Sequence, residues 1–177
     1  VDTPCKTCDG KGKIRRQKTI EISVPAGIDD DQILNVGGKG NAGSNGGPNG
    51  DLHVYITVRP HAIFTRRGND VWCDMPITFT QAALGAEVTV PTLDGKVSYT
   101  VHEGTQPGDV FKLKGKGIQN INGRGRGDQY VRVTVEVPKN LSKRQKELLQ
   151  EFEQNADEKN YQKRKSFFGK IKGMFED

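Results

Sequence analysis

Two cysteines three positions apart are the residues best placed to do chemistry, in the run Cys5-Lys6-Thr7-Cys8-Asp9-Gly10-Lys11-Gly12. A turn that aims two thiolates at one point grips a zinc ion, and the glycines let the backbone fold back around it. A closed tetrahedral site takes four ligands, and this motif supplies two. Cys73 sits in a strand-like run, and His53, His61 and His102 show no paired spacing. The expectation is half a zinc site whose partner lies upstream. A thiol–disulfide pair is the alternative, but such a pair opens a helix, and the glycines here oppose one. Gly38-Lys39-Gly40 and Gly115-Lys116-Gly117 look like phosphate loops. They lack Walker spacing, and each leads into a strand pattern with no helix N-terminus to meet an anion. No Gly-x-Ser-x-Gly elbow occurs, and no histidine has an acid–base partner in sequence. The chain reads as a non-enzymatic binding protein.

The elements around these residues are short. Hydrophobic residues make up 33% of 177 positions and there are 22 glycines, a composition of turns and small cores. The net charge is +5, and from Lys139 onward ten Lys/Arg face seven Asp/Glu. The main body before it is nearly balanced, which argues against a basic nucleic-acid groove there. Arg124-Gly125-Arg126-Gly127 has no interleaved aromatics and reads as a solvated loop. No apolar run is long enough to span a bilayer and no secretory h-region is present, so neither nucleic acid nor membrane is expected as a partner. Three cysteines, two of them crowded, fit a reducing cytoplasmic setting.

A shift of 77 positions lays the sequence on itself without a gap. Ile20-Glu21-Ile22-Ser23-Val24 falls on Val97-Ser98-Tyr99-Thr100-Val101, and Ile33-Leu34-Asn35-Val36 falls on Val110-Phe111-Lys112-Leu113. Gly27 falls on Gly104, Gly50-Asp51 on Gly127-Asp128, and Val54-Tyr55-Ile56-Thr57-Val58 on Val131-Arg132-Val133-Thr134-Val135. Glycines, apolar alternation and loop lengths agree together, which marks an internal duplication. Period-two alternation makes each copy β. Val71, Cys73, Met75, Ile77 and Phe79 predict another strand, with Cys73 a core thiol. Residues 80–85 predict one helical turn ended by Gly85, and Val88 and Val90 a short strand before Pro91. These opening strands have no counterpart before the first copy, which places that copy's own opening strands upstream of Val1.

After Pro138 the period changes. Ser142 and Gln145 form a capping-box pair, and Leu141, Gln145, Leu148, Leu149 and Phe152 follow at helical spacing, predicting a helix to about residue 154. Residues 156–164 read as loose, and Phe167, Phe168, Ile171, Met174 and Phe175 form a second helical stripe weakened by Gly169 and Gly173. The fold class is mainly β: two tandem homologous sandwich-like modules and a C-terminal helical segment. The expected divisions are 1–12 for the cysteine motif, 13–66 and 67–138 for the modules, 139–155 for the helix and 156–177 for a basic, aromatic tail.

The CxxCxGxG motif, the duplicated β module and the phrases Gly50-Asp51-Leu52 … Arg59-Pro60-His61 and Val90-Pro91-Thr92-Leu93-Asp94-Gly95 resemble the C-terminal region of DnaJ, the zinc-finger-bearing class of J-domain co-chaperones. That family carries four CxxCxGxG repeats, the last pairing with the first around zinc. The resemblance implies that Cys5 and Cys8 match the last, a half site whose zinc belongs to the intact parent protein. It implies a groove for unfolded clients at Ile20, Ile22, Val54 and Ile56; on the residues alone, those four read equally well as module core. It implies homodimerisation through Leu141, Leu148, Leu149 and Phe152. Delivery of clients to the seventy-kilodalton heat-shock chaperone belongs to the parent protein. The J domain's His-Pro-Asp motif does not occur in this sequence, so no ATPase stimulation is expected from it.

Overall fold

The computed structural model describes residues 6–8, 12–44 and 46–175, with side chains up to 171. It divides into two compact units, 1–135 and 136–177. Among the described residues, the regular structure of the first unit is all β apart from one helical turn. Strands β1 (Ile33–Val36) and β2 (Leu52–Tyr55) form an antiparallel pair. Strands β3 (Thr65–Arg67), β4 (Asp70–Thr78), β7 (Val110–Leu113) and β8 (Gln129–Glu136) form a sheet in the order β3-β4-β8-β7. Strands β5 (Ala86–Thr92) and β6 (Gly95–Val101) form a hairpin. Between β4 and β5 the helical turn α1 (Phe79–Leu84) is capped by Thr78 and ended by Gly85 at φ +76°, where only glycine is unstrained.

The core lies between the four-stranded sheet and the hairpin. Cys73 and Ile77 from β4, Val131 and Val133 from β8, Ala82 from α1, and Val88, Val90 and Val101 from the hairpin are buried together. Alternation explains the set, since β4 and β8 each send every second residue inward. Contacts between β4 and β8 advance together: Asp128 N donates to Asp70, Trp72 stacks on Tyr130, and Arg132 pairs with Asp74. The two strands therefore run parallel. Strand β5 continues through Pro91 to Thr92, past the expected stop. One side of β5 has no ladder partner, and a proline is tolerated on such an edge.

The duplication is visible in the backbone. Leu34 faces Val54 and Val36 faces Leu52, and 77 positions on Phe111 faces Val131 and Leu113 faces Gln129. Gly38 N donates to Asp51 Oδ1 at 2.9 Å, and Gly115 N to Asp128 Oδ1 at 2.7 Å. Gly40 N reaches the Gly50 carbonyl, as Gly117 N reaches that of Gly127. One expectation fails: residues 20–24 form no strand, although their counterparts lie in β6. Strand β6 pairs with β5, whose buried Val88 and Val90 align with Lys11 and Lys13 in the first copy. Among the described residues, 20–24 has no partner strand.

The second unit is helical. Helix α2 (Lys143–Asn155) starts at a complete capping box, with Gln145 N donating to Ser142 Oγ and Ser142 N to Gln145 Oε1. A 3₁₀ turn (Glu158–Asn160) capped by Asp157 follows, and α3 (Gln162–Phe175) begins inside the stretch expected to be loose. Tyr161 and Arg164 both reach Glu153, at 3.4 and 3.8 Å, and this ties the start of α3 to α2. No described helix is long and apolar enough to cross a membrane.

Candidate functional site

The first copy carries an apolar face that is only half covered. Along β1 and β2, Leu34, Val36, Leu52 and Val54 are half-buried and alternate with exposed Ile33, Asn35, His53 and Tyr55. Ile56 extends the row. Its N–H donates to the Gln32 carbonyl, and its own carbonyl accepts from Asp31 N. Val54 and Ile56 are thus held on one face by backbone pairing. Ile20 and Ile22 are also half-buried but belong to no strand. In the second copy the equivalents of Val54 and Ile56, Val131 and Val133, are 0% and 1% exposed. The same contrast appears at Val24, 55% exposed, against Val101 at 3%.

A second recess was not anticipated from sequence. Tyr99, His102, Thr105, Val110, Phe111 and Val133 help line a cleft of about 270 Å3 in the second module, where Tyr99 and Phe111 stack at 3.7 Å. Tyr99 and Val133 are the repeat equivalents of Ile22 and Ile56, so the shift of 77 was the signal that would have found it. The outer face of the four-stranded sheet carries a stack of Arg67, Trp72 and Tyr130, with the guanidinium 4.6 Å from the Trp72 ring and the two rings 4.8 Å apart.

The cysteines separate into two kinds. Cys73 is buried, and desolvation raises its thiol above the ordinary value although Gln129 Nε2 donates to it at 3.5 Å. Such a thiol is a core residue. Cys8 is half-buried, while Cys5 lies outside the described residues. Among the described residues no three His, Cys, Asp or Glu side chains gather where a metal would sit. Arg126 is held in place, pairing with Asp94 at 2.8 Å and donating to the Gly117 carbonyl; the guanidinium draws the Asp94 carboxyl below its ordinary range.

In the helical unit α2 buries no residue. Leu141 is half-buried, while Leu148, Leu149 and Phe152 are 48%, 38% and 49% exposed on one side of the helix. Phe167 and Phe168 on α3 are exposed as well and meet edge to face. Glu153, Tyr161, Arg164 and Phe168 help line a cleft of about 660 Å3 between the end of α2 and the start of α3.

Two β modules cut to one template, one with an apolar row and the other with a cleft, and a helical segment with an apolar side make this a duplicated β-module protein. Residues 5–138 match the DnaJ C terminal domain family, and residues 144–177 match a second family described as the chaperone protein DnaJ C-terminal region. The chain is 58% identical over 185 residues to the chaperone protein DnaJ of Ruminiclostridium cellulolyticum, covering 97% of this chain and 49% of that protein. It is 52% identical over 172 residues to that of Acetivibrio thermocellus, covering 97% and 45%, and 55% identical over 161 residues to that of Clostridioides difficile, covering 91% and 42%. The chain belongs to the DnaJ C-terminal domain family. It spans about half the length of the curated relatives it matches.

Proposed function

We propose that this chain is the client-holding and pairing region of a cytoplasmic co-chaperone, without enzymatic activity of its own. One observation carries the reading: backbone pairing sets Val54 and Ile56 on one face of the first copy, in an apolar row that alternates with exposed residues. An extended client offers unpaired backbone groups and alternate apolar side chains. A short sheet with open edges and an apolar row receives both without reading sequence. Val54 and Ile56 form the backbone-paired part of the client groove, and half-buried Ile20 and Ile22 contribute the rest. Two chains paired through Leu141, Leu148, Leu149 and Phe152 present two such faces to one client and raise its effective concentration. In the whole protein the client passes to the seventy-kilodalton heat-shock chaperone, and Cys5 and Cys8 serve zinc with ligands from elsewhere in that protein. Nucleic acid is not a partner in this reading, since Arg126 is already committed to Asp94.

The test is a titration of a labelled peptide of alternating valine and lysine, read by fluorescence anisotropy, with light scattering on the same samples. Val54→Ser and Ile56→Ser each weaken binding about tenfold, the loss expected for one uncovered aliphatic side chain, with circular dichroism unchanged. Leu148→Asp converts a dimer to a monomer and lowers apparent affinity by lost avidity. Affinity unchanged in both strand variants would make the row simple module core.

A further inference from the structure

Two turns occupy equivalent places in the copies, 27–29 and 104–106, and only one of them is gripped. Gly27 and Gly104 both hold positive φ, +89° and +75°. A Cβ placed on Gly104 would meet nothing within 4 Å. A Cβ placed on Gly27 would collide with the Gln119 carbonyl oxygen and lie 3.3 Å from Ile121 N. The first copy's turn is therefore pressed onto the 114–128 loop of the second module. That loop is braced from behind: Arg126 Nε donates to the Gly117 carbonyl, and its Nη1 pairs with Asp94 on the β5–β6 turn.

Arg66 holds the same turn from another side. It stands in β3, which pairs with β4 in the sheet of the second module, and its side chain is 22% exposed. Nη1 donates to the Ile28 carbonyl at 2.7 Å and Nη2 to the Gly27 carbonyl at 2.8 Å. Nη1 also lies 3.4 Å from the Asp29 carboxylate, and Nε donates to the Gly68 carbonyl at 2.8 Å, anchoring the guanidinium to its own hairpin. A planar guanidinium holds three carbonyls at once from three nitrogens in a fixed fork, a rigidity that a rotating ammonium on a flexible stem lacks. The equivalent turn in the second copy is satisfied internally, with Gln106 Nε2 on the Gly104 carbonyl and Thr105 Oγ1 on that of His102.

We infer that Arg66 and Gly27 form a latch that fixes the first copy against the second module. The latched turn runs into the candidate face, because Asp30 accepts from Val58 N and Asp31 N donates to the Ile56 carbonyl. Arg66 is thus a positioning residue that sets where Ile56 stands relative to the second module's cleft. Modules joined by a small polar contact move relative to one another by default, and the latch removes that freedom. Its consequence for a client that spans both recesses rests on the client-binding reading above. The latch itself does not.

The test uses spin labels at Thr57→Cys and Thr134→Cys, exposed repeat equivalents, in a Cys5→Ser/Cys8→Ser chain where Cys73 stays buried and unlabelled. Double electron–electron resonance is expected to give one narrow distance distribution. Arg66→Ala and Gly27→Ala each broaden it about twofold, and Arg66→Lys broadens it too, because a rotating ammonium on a flexible stem lacks the fixed fork that spans the carbonyls. Gly104→Ala carries the same φ strain without the close approach and leaves the width unchanged. Thermal unfolding of each variant separates a released latch from a damaged module. Equal distributions in Gly27→Ala and Gly104→Ala, or an unchanged one in Arg66→Ala, would overturn the latch. The peptide titration run on the unlabelled wild-type chain decides the client reading separately, since the distances are measured without peptide.

Discussion

Leu34 meets Val54 in the first copy as Phe111 meets Val131 in the second, across the same register, yet Val131 is sealed and Val54 is half-open. The pairing and the turn are alike down to single hydrogen bonds: an aspartate at 51 or 128 accepts the amide of a glycine at 38 or 115. What differs among the described residues is the material laid over the strands. In the second copy the β5–β6 hairpin and α1 close over β4 and β8. Local geometry is thus written in glycines, aspartates and alternation, whereas burial depends on which other strands reach the face. An apolar row and a core can share one local sequence grammar.

The sharpest way to test this contrast is to cut the same side chain in both copies. Val131→Ala should cost about 2 kcal/mol, because it leaves a cavity in a sealed core, and Val54→Ala less than about 1 kcal/mol. Urea unfolding followed by Trp72 fluorescence measures the first directly, since the single tryptophan stacks on Tyr130 in the second module. Equal costs would mean that the first copy's face is covered in solution.

A smaller effect lies in acid. The Gly115 amide, with help from Lys112, holds the Asp128 carboxyl below its ordinary value of 3.8. A depressed folded value stabilises the fold fully above the ordinary value, and the contribution fades as pH falls through the depressed one. Asp128→Asn should therefore lower the second module's stability at neutral pH and flatten its acid limb below about pH 4. An acid limb unchanged by the substitution would show that the turn draws nothing from the charge.

The smallest effect is expected where the copies differ inside the core. Gln129 is fully buried, donates to the Pro91 carbonyl at 2.8 Å, and keeps Oε1 without a partner among the described residues; its counterpart is Leu52. Gln129→Leu removes an unpaired acceptor and one good bond together, so the midpoint in urea should move by less than about 1 kcal/mol. A larger loss would show that the Pro91 bond fixes the hairpin on the sheet.

Much of this was legible in the chain. The Ser142–Gln145 capping box, Gly85 after α1 and the alternation of β4 all act within a few residues, and sequence records such effects directly. The repeat carried the equivalence of β1 with β7 and of β2 with β8 as well. Residues 20–24 misled because alternation states which side would face inward but not whether a partner strand exists. Val54 and Ile56 were readable as members of one face. Arg66 was not, since its contacts with Gly27 and Ile28 join residues far apart in sequence, whereas the Tyr99–Phe111 cleft could have been found through the repeat. The start of α3 at Gln162 depends on Glu153 reaching Tyr161 and Arg164, a tie that no local pattern announces.

The parallel pairing of β4 with β8 has a consequence for how the module comes into being. The two strands stand 58 positions apart at their contacts, as between Trp72 and Tyr130. During synthesis β4 emerges long before β8, and for that interval Val71, Cys73 and Ile77 lack the neighbour that seals them. Closure waits on the last strand, a long-range step of the kind that slows folding and leaves apolar surface open to other nascent chains. At the ribosome, then, this module passes through the condition of the unfolded polypeptides that its family is proposed to hold.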